Sequence, residues 1–151
     1  MKRLMMVASG ILLLSAASAA MAQQDIAVQQ DNVMRQQAKY LYGVMLRMSR
    51  GRIPYDQAAV DEALVELEKS VGQIATVFGP NPNENVVNAE YGSSPKVWQN
   101  KADFESKIPP VLKTIGDFKG KIHDVASLTT AYTAINDSCN ECHETYRLKL
   151  K

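Results

Sequence analysis

The sequence predicts an all-α fold, an antiparallel up-down-up-down bundle of four helices. Three observations predict it. In four separate stretches, apolar residues recur at alternating steps of three and four, the spacing that lines one face of an α-helix. Glycine and proline punctuate the chain between those stretches. Two of the connections are short, which sets consecutive helices antiparallel.

The first stripe is Met34, Ala38, Leu41, Met45 and Met48, ended by Gly51-Arg52-Ile53-Pro54. The second is Val60, Leu64, Leu67, Val71, Ile74 and Phe78, with Asp56 as its N-cap and Gly79-Pro80 as its stop. Residues 81–94 form a longer, Asn-rich connection that contains Pro82 and Gly92. Ser94-Pro95 reads as a cap followed by proline at the first helical position. The third stripe is Val97, Phe104, Ile108, Val111, Ile115 and Phe118, with Lys101 filling its one apolar gap and Gly120 at its end. Pro109-Pro110 lies inside it. Proline removes a backbone donor and clashes with the preceding turn, so a kink or break is expected there. The fourth stripe is Leu128, Tyr132, Ile135, Cys139, Cys142 and Tyr146, with Asp124 or Ser127 to cap its start.

Ahead of the bundle stands a leader. Lys2 and Arg3 precede an apolar run, Leu4 to Ala20, and Ala20-Met21-Ala22 has the form of a cleavage site. This predicts a secretory signal peptide over residues 1–22, removed to leave one domain over residues 23–151 and to place it in the periplasm. No later stretch is apolar over the ~18 residues that a membrane span requires. Seventeen Lys and Arg balance 16 Asp and Glu. A chain this near neutrality, with no basic stripe, is not built for nucleic acid.

The chemistry concentrates in Cys139-Asn140-Glu141-Cys142-His143. It holds both cysteines of the chain and one of its two histidines. C-x-x-C-H is the attachment pattern of a c-type haem. Two thiols add across the two vinyl groups, and the adjacent imidazole takes one axial position on the iron. On a helix these residues stand at i, i+3 and i+4 and leave from one face. One covalent haem c is therefore expected on Cys139 and Cys142, with His143 as iron ligand. Two other readings of the motif compete. A redox dithiol calls for a βαβ setting, and no strand pattern is found. A zinc site calls for four ligands, with His123 folding back as the fourth.

The opposite axial position follows from the topology. The first and last helices of such a bundle run antiparallel, so Met34, near the start of the first, stands level with His143, near the end of the last. Met45 lies roughly 16 Å further along. Lys39 is roughly 140° round the helix from Met34. Met34 is therefore the expected distal ligand. A His and Met pair raises the reduction potential and closes both axial positions, which suits an electron carrier. An iron without it would admit a small gas such as NO or CO. Nothing in the sequence points to catalysis.

These features resemble the class II cytochrome c family, which includes cytochrome c′ with its five-coordinate iron and low-spin relatives with a methionine on the first helix. The C-terminal run through Tyr146-Arg147 is similar to the family's C-x-x-C-H-x-x-[FY]-[RK]. Pro54-Tyr55-Asp56 and Ser93-Ser94-Pro95-Lys96-Val97-Trp98 look closer to the low-spin branch. The resemblance implies that Cys139 and Cys142 form the thioethers and that His143 is the proximal ligand. It also implies that Arg35 and Gln36 contact a haem propionate. Counted back from Pro54, Met34 lies one residue from the family's ligand position. Counted forward from Arg35-Gln36, that position falls at Lys39. The partners implied are periplasmic redox proteins, and the chain is expected as a monomer or homodimer.

Overall fold

The computed structural model describes residues 23–151, so the expected leader, residues 1–22, lies outside the described residues. Helix α1 runs through residues 23–40, widens into a π-helical stretch at Leu41–Leu46 and ends as α-helix at Arg47–Ser49. Helix α2, Gln57–Gly72, is prolonged by a short α3, Ile74–Val77. The third stripe is divided among α4, Lys96–Gln99, α5, Lys101–Ser106, and α6, Ile108–Phe118. Helix α7, Val125–Tyr146, carries the fourth.

The helices pack in a ring. α1 lies on α2, α2 on α6, α6 on α7, and α7 returns to α1. This is the four-helix bundle that the stripes predict. Met45, Val60, Leu64, Leu67, Ile115, Leu128 and Ile135 are buried at its centre.

The ends of the helices follow from local chemistry. Asp56 accepts a hydrogen bond from the Ala59 amide at 3.1 Å and starts α2 as expected. Asp124, not Ser127, is the N-cap of α7. Its carboxylate accepts from the Ser127 amide at 2.7 Å, and the Ser127 hydroxyl accepts from the Asp124 amide at 3.1 Å. The two form a reciprocal capping box. The Ser94 hydroxyl accepts from the Lys96 amide at 3.3 Å and opens α4. The break expected at Pro109-Pro110 falls at Lys107, so both prolines stand in the first turn of α6, where their missing donors have no helical partner to lose.

A small sheet departs from the all-helical expectation. β1, Tyr91–Ser93, pairs antiparallel with β2, Arg147–Lys149, in the register Tyr91 with Lys149, Gly92 with Leu148 and Ser93 with Arg147. Three-residue strands are too short to show an alternating pattern, so the sequence carries no sign of them. The Ser94 amide donates to the Tyr146 carbonyl at 2.9 Å, and the Leu150 amide to the Glu90 carbonyl at 2.8 Å. The ribbon thereby fastens the end of the chain to the long connection between α3 and α4.

Candidate cofactor site

A cavity of about 380 Å³ opens between α1 and the C-terminal half of α7. It lies where two apolar clusters meet. Cys139 packs on the main core, while Cys142 and Met34 pack on a second cluster of Phe78, Val97, Phe104 and Tyr146. Cys139, Cys142 and His143 supply one wall from α7, and Met34, Ala38 and Leu41 line the cavity from α1. Val71, Ile74, Ile108 and Val111 close the sides, and the connection from Glu84 to Ser93 borders it as well.

The second cluster is tightly fixed. The Phe104 ring meets Phe78 at 5.8 Å and Tyr146 edge-on at 5.2 Å, arrangements that add to their burial. The Phe78 carbonyl, at the end of α3, accepts from Trp98 Nε1 and from Lys101 Nζ, each at 3.0 Å. Lys101, the polar member of the third stripe, therefore uses its ammonium to satisfy a helix terminus. Tyr146 Oη donates to Asp103 at 2.5 Å.

Burial sets the protonation of the motif. It pushes the Cys139 thiol up to about 11, and the neighbouring Cys142 adds to the shift. The Cys142 thiol is also raised, again by burial. His143 is pushed down to about 4 by burial and by the charge of Arg147, so its imidazole is neutral at pH 7, the form that binds a metal. The two cysteines form no disulfide. Thiols raised in this way lack the thiolate character of a redox dithiol. The zinc reading is not supported either. His123 is exposed just before α7, roughly 30 Å along the helix from His143. No group of three or more His, Cys, Asp and Glu among the described residues could hold a metal ion.

The sequence-derived site residues are placed unequally. Cys139, Cys142, His143 and Met34 come together at the cavity. Met45 and Met48 are sealed in the main core instead. Lys39 is exposed, with its ammonium 4.8 Å from the centre of the Tyr40 ring. Arg35 borders the cavity but pairs with Asp31 one turn earlier, which holds its guanidinium above its ordinary value. Gln36 is not brought to the cavity, and its amide donates to Glu66 on α2 at 3.3 Å. A π-helical stretch, Leu41–Leu46, lies between Met34 and Pro54, and a π-turn bonds i to i+5 and holds one more residue than an α-turn.

Sequence reasoning missed Gln30, Gln37, Tyr42, Tyr91 and Lys107 at the cavity. Gln30 is buried, and its amide donates to the carbonyls of Val77 at 3.2 Å and Pro80 at 3.0 Å, which ties α1 to the end of α3. Gln30 and Gln37 extend the spacing of the first stripe, but their polarity hides them. Among the described residues, two buried side-chain polar atoms have no partner, His143 Nδ1 and Gln37 Nε2, and both residues line this cavity. Buried groups of this kind are ordinarily satisfied. An apolar cavity with two thiols, a neutral imidazole and an unmet amide donor fits a haem.

A four-helix bundle with a C-x-x-C-H motif on the wall of an apolar cavity defines a c-type cytochrome. The chain belongs to the cytochrome c′ family, whose sequence model matches residues 25–147. It is 64% identical to cytochrome c-555 of Bradyrhizobium diazoefficiens over 151 residues, the full length of both chains. It is 35% identical to cytochrome c-556 of Rhodopseudomonas palustris over 145 residues, 95% of each. An NMR-validated structural model of oxidized R. palustris cytochrome c556 superposes with a TM-score of 0.71 at 32% identity, covering 85% of this chain and 99% of that one. Haem c, covalently held, is the cofactor of this family, and the chain's two cysteines meet its demand.

Proposed function

We propose that this protein is an exported, periplasmic carrier of single electrons. In this reading its haem c is held by thioethers to Cys139 and Cys142, with His143 as proximal and Met34 as distal iron ligand. The observation that carries the reading is that Met34 lines the same cavity as His143, while Met45 and Met48 do not. Bound haem supplies a one-electron couple at its iron. The chain supplies the rest. Cys139 and Cys142 fix the group to α7. His143 would offer the iron a neutral nitrogen, and Met34 a thioether, a donor that favours the reduced state. Val71, Phe78, Phe104 and Ile108 give the cavity apolar walls, a low-dielectric setting in which charge interactions are strengthened. Arg35 stands at the rim, where a propionate would meet a guanidinium.

The relatives named cytochrome c-555 and c-556 support a carrier. The partners proposed are periplasmic redox proteins, and the chain acts as a monomer or homodimer. No helix among the described residues is long and apolar enough to cross a membrane. The alternative is a five-coordinate iron that binds NO or CO, as a cytochrome c′-like protein would. Optical spectra of the ferric and ferrous protein, with and without carbon monoxide, decide between them. A low-spin spectrum indifferent to carbon monoxide supports the carrier, and a high-spin spectrum that responds to it overturns the Met34 assignment.

A further inference from the structure

Gln30 and Gln37 lie two turns apart on the cavity side of α1, and both are more than nine-tenths buried. Their amides differ in one respect. Gln30 donates to two backbone carbonyls, whereas Gln37 Nε2 has no partner. Gln37 is three residues from Met34, so the two are neighbours on one helix face. The α1 residues beside them, Ala38 and Leu41, carry no polar side-chain atom, and neither do Val71, Ile108 and Val111 on the other walls. The charged groups of the cavity, among them Asp31, Arg35, Glu84 and Arg147, stand on partly exposed or exposed residues. A buried amide donor is ordinarily matched by an acceptor. The described residues supply none here, so the acceptor arrives with what fills the cavity.

We infer that Gln37 is the distal hydrogen-bond donor of the iron site, its amide directed at whatever atom takes the position opposite His143. This rests on the reading of the cavity as a haem site with Met34 in that position. With Met34 in place the acceptor is the thioether sulfur, which keeps a lone pair after ligation and accepts weakly. A donor on that sulfur withdraws electron density from the iron and favours the ferrous state. With Met34 removed, the same amide serves a small anion bound there, and a hydrogen bond to a charged acceptor is stronger than one to a neutral acceptor. Gln37 is thus a positioning and tuning residue, and hydrogen bonding around the ligands is one of the means by which a protein sets a haem potential.

The test uses fluoride and carbon monoxide as probes of the haem-loaded protein. Fluoride accepts hydrogen bonds as an anion, and carbon monoxide barely accepts them. Met34→Ala opens the position, and Met34→Ala is then compared with Met34→Ala/Gln37→Leu. Leucine fills similar volume and removes an unmatched donor, so folding is not at stake. The expected result is fluoride binding to the ferric form weakened about tenfold to a hundredfold by Gln37→Leu, with carbon monoxide binding to the ferrous form altered less than about threefold. In the protein that keeps Met34, Gln37→Leu alone lowers the midpoint potential. Equal fluoride affinities, or fluoride and carbon monoxide weakened together, overturn the inference and leave the cavity reading standing. If the unmutated protein already binds fluoride, the Met34 assignment fails, and the same comparison of Gln37 with Leu is made without Met34→Ala. A colourless protein overturns both.

Discussion

Met34 on α1 and His143 on α7 line one cavity, although they stand at opposite ends of the described chain. The antiparallel closure of α7 on α1 brings them together. Two substitutions separate ligation from packing. Met34→Ala is expected to turn a low-spin spectrum high-spin. Met45→Ala removes a fully buried side chain and leaves a cavity, costing about 2–5 kcal/mol of stability, with the spectrum unchanged. Optical spectra and urea titrations of the two variants check this. A spectral change in Met45→Ala would reverse the assignment.

The raised thiols make the haem-free chain slow to alkylate. At pH 7 a thiol titrating at about 11 carries far less thiolate than an ordinary one. Cys139 should therefore react with iodoacetamide on the order of a hundredfold more slowly than a free thiol. Its rate should climb about tenfold per pH unit until pH approaches 11. Mass spectrometry of the labelled peptide measures it. Rapid labelling at pH 7 would revive a dithiol role.

Gly92 stands where β1 passes closest to Asn85. A Cβ built there would lie 2.4 Å from Asn85 Oδ1, the atom that accepts the Ser93 amide at 2.9 Å. Gly92→Ala must displace that side chain and lose the hydrogen bond, at a cost of about 1 kcal/mol. The effect is local. Hydrogen exchange at the Ser93 amide should quicken while amides in the core of α2 keep their protection.

Tyr146 and Asp103 couple stability to pH at both extremes. The hydrogen bond holds Asp103 below the ordinary carboxylate range, with Lys107 adding to the effect. It also lifts Tyr146 to about 12, as burial does to a lesser degree. Asp103 therefore stabilises the fold above its unfolded pKa, and this is lost as pH falls through its lowered value. Tyr146 stabilises the fold below about pH 10, and this is lost as pH rises towards 12. Tyr146→Phe should lower stability at pH 8, with the deficit closing between pH 10 and 12. Denaturant titrations across that range provide the measurement, and a deficit independent of pH would exclude the coupling.

The parts of the molecule legible in the sequence are those written as side-chain periodicity. Val60 to Phe78 and Leu128 to Tyr146 show their buried faces by spacing alone, and Cys139, Cys142 and His143 show their chemistry by type and order. Other parts are held by backbone or by a polar exception to the pattern. Tyr91–Ser93 and Arg147–Lys149 pair through main-chain groups over a large sequence separation, which no local pattern encodes. The π-helical stretch at Leu41–Leu46 leaves the apolar steps of α1 unchanged and alters only the width of its turns. Gln37 falls beside the first stripe as a polar residue and so looks solvent-facing until the cavity is seen. Gln36 shows the converse, a residue placed by likeness to a neighbouring pattern that the helix turns towards Glu66.

The ribbon that joins Tyr91–Ser93 to Arg147–Lys149 has a bearing on how the pocket can open. β2 continues directly from the helix that carries Cys139, Cys142 and His143, and β1 closes the connection that borders the cavity. The two walls are thus tied to each other by main-chain hydrogen bonds, so that swinging the connection away from the motif means unzipping Tyr91–Ser93 from Arg147–Lys149.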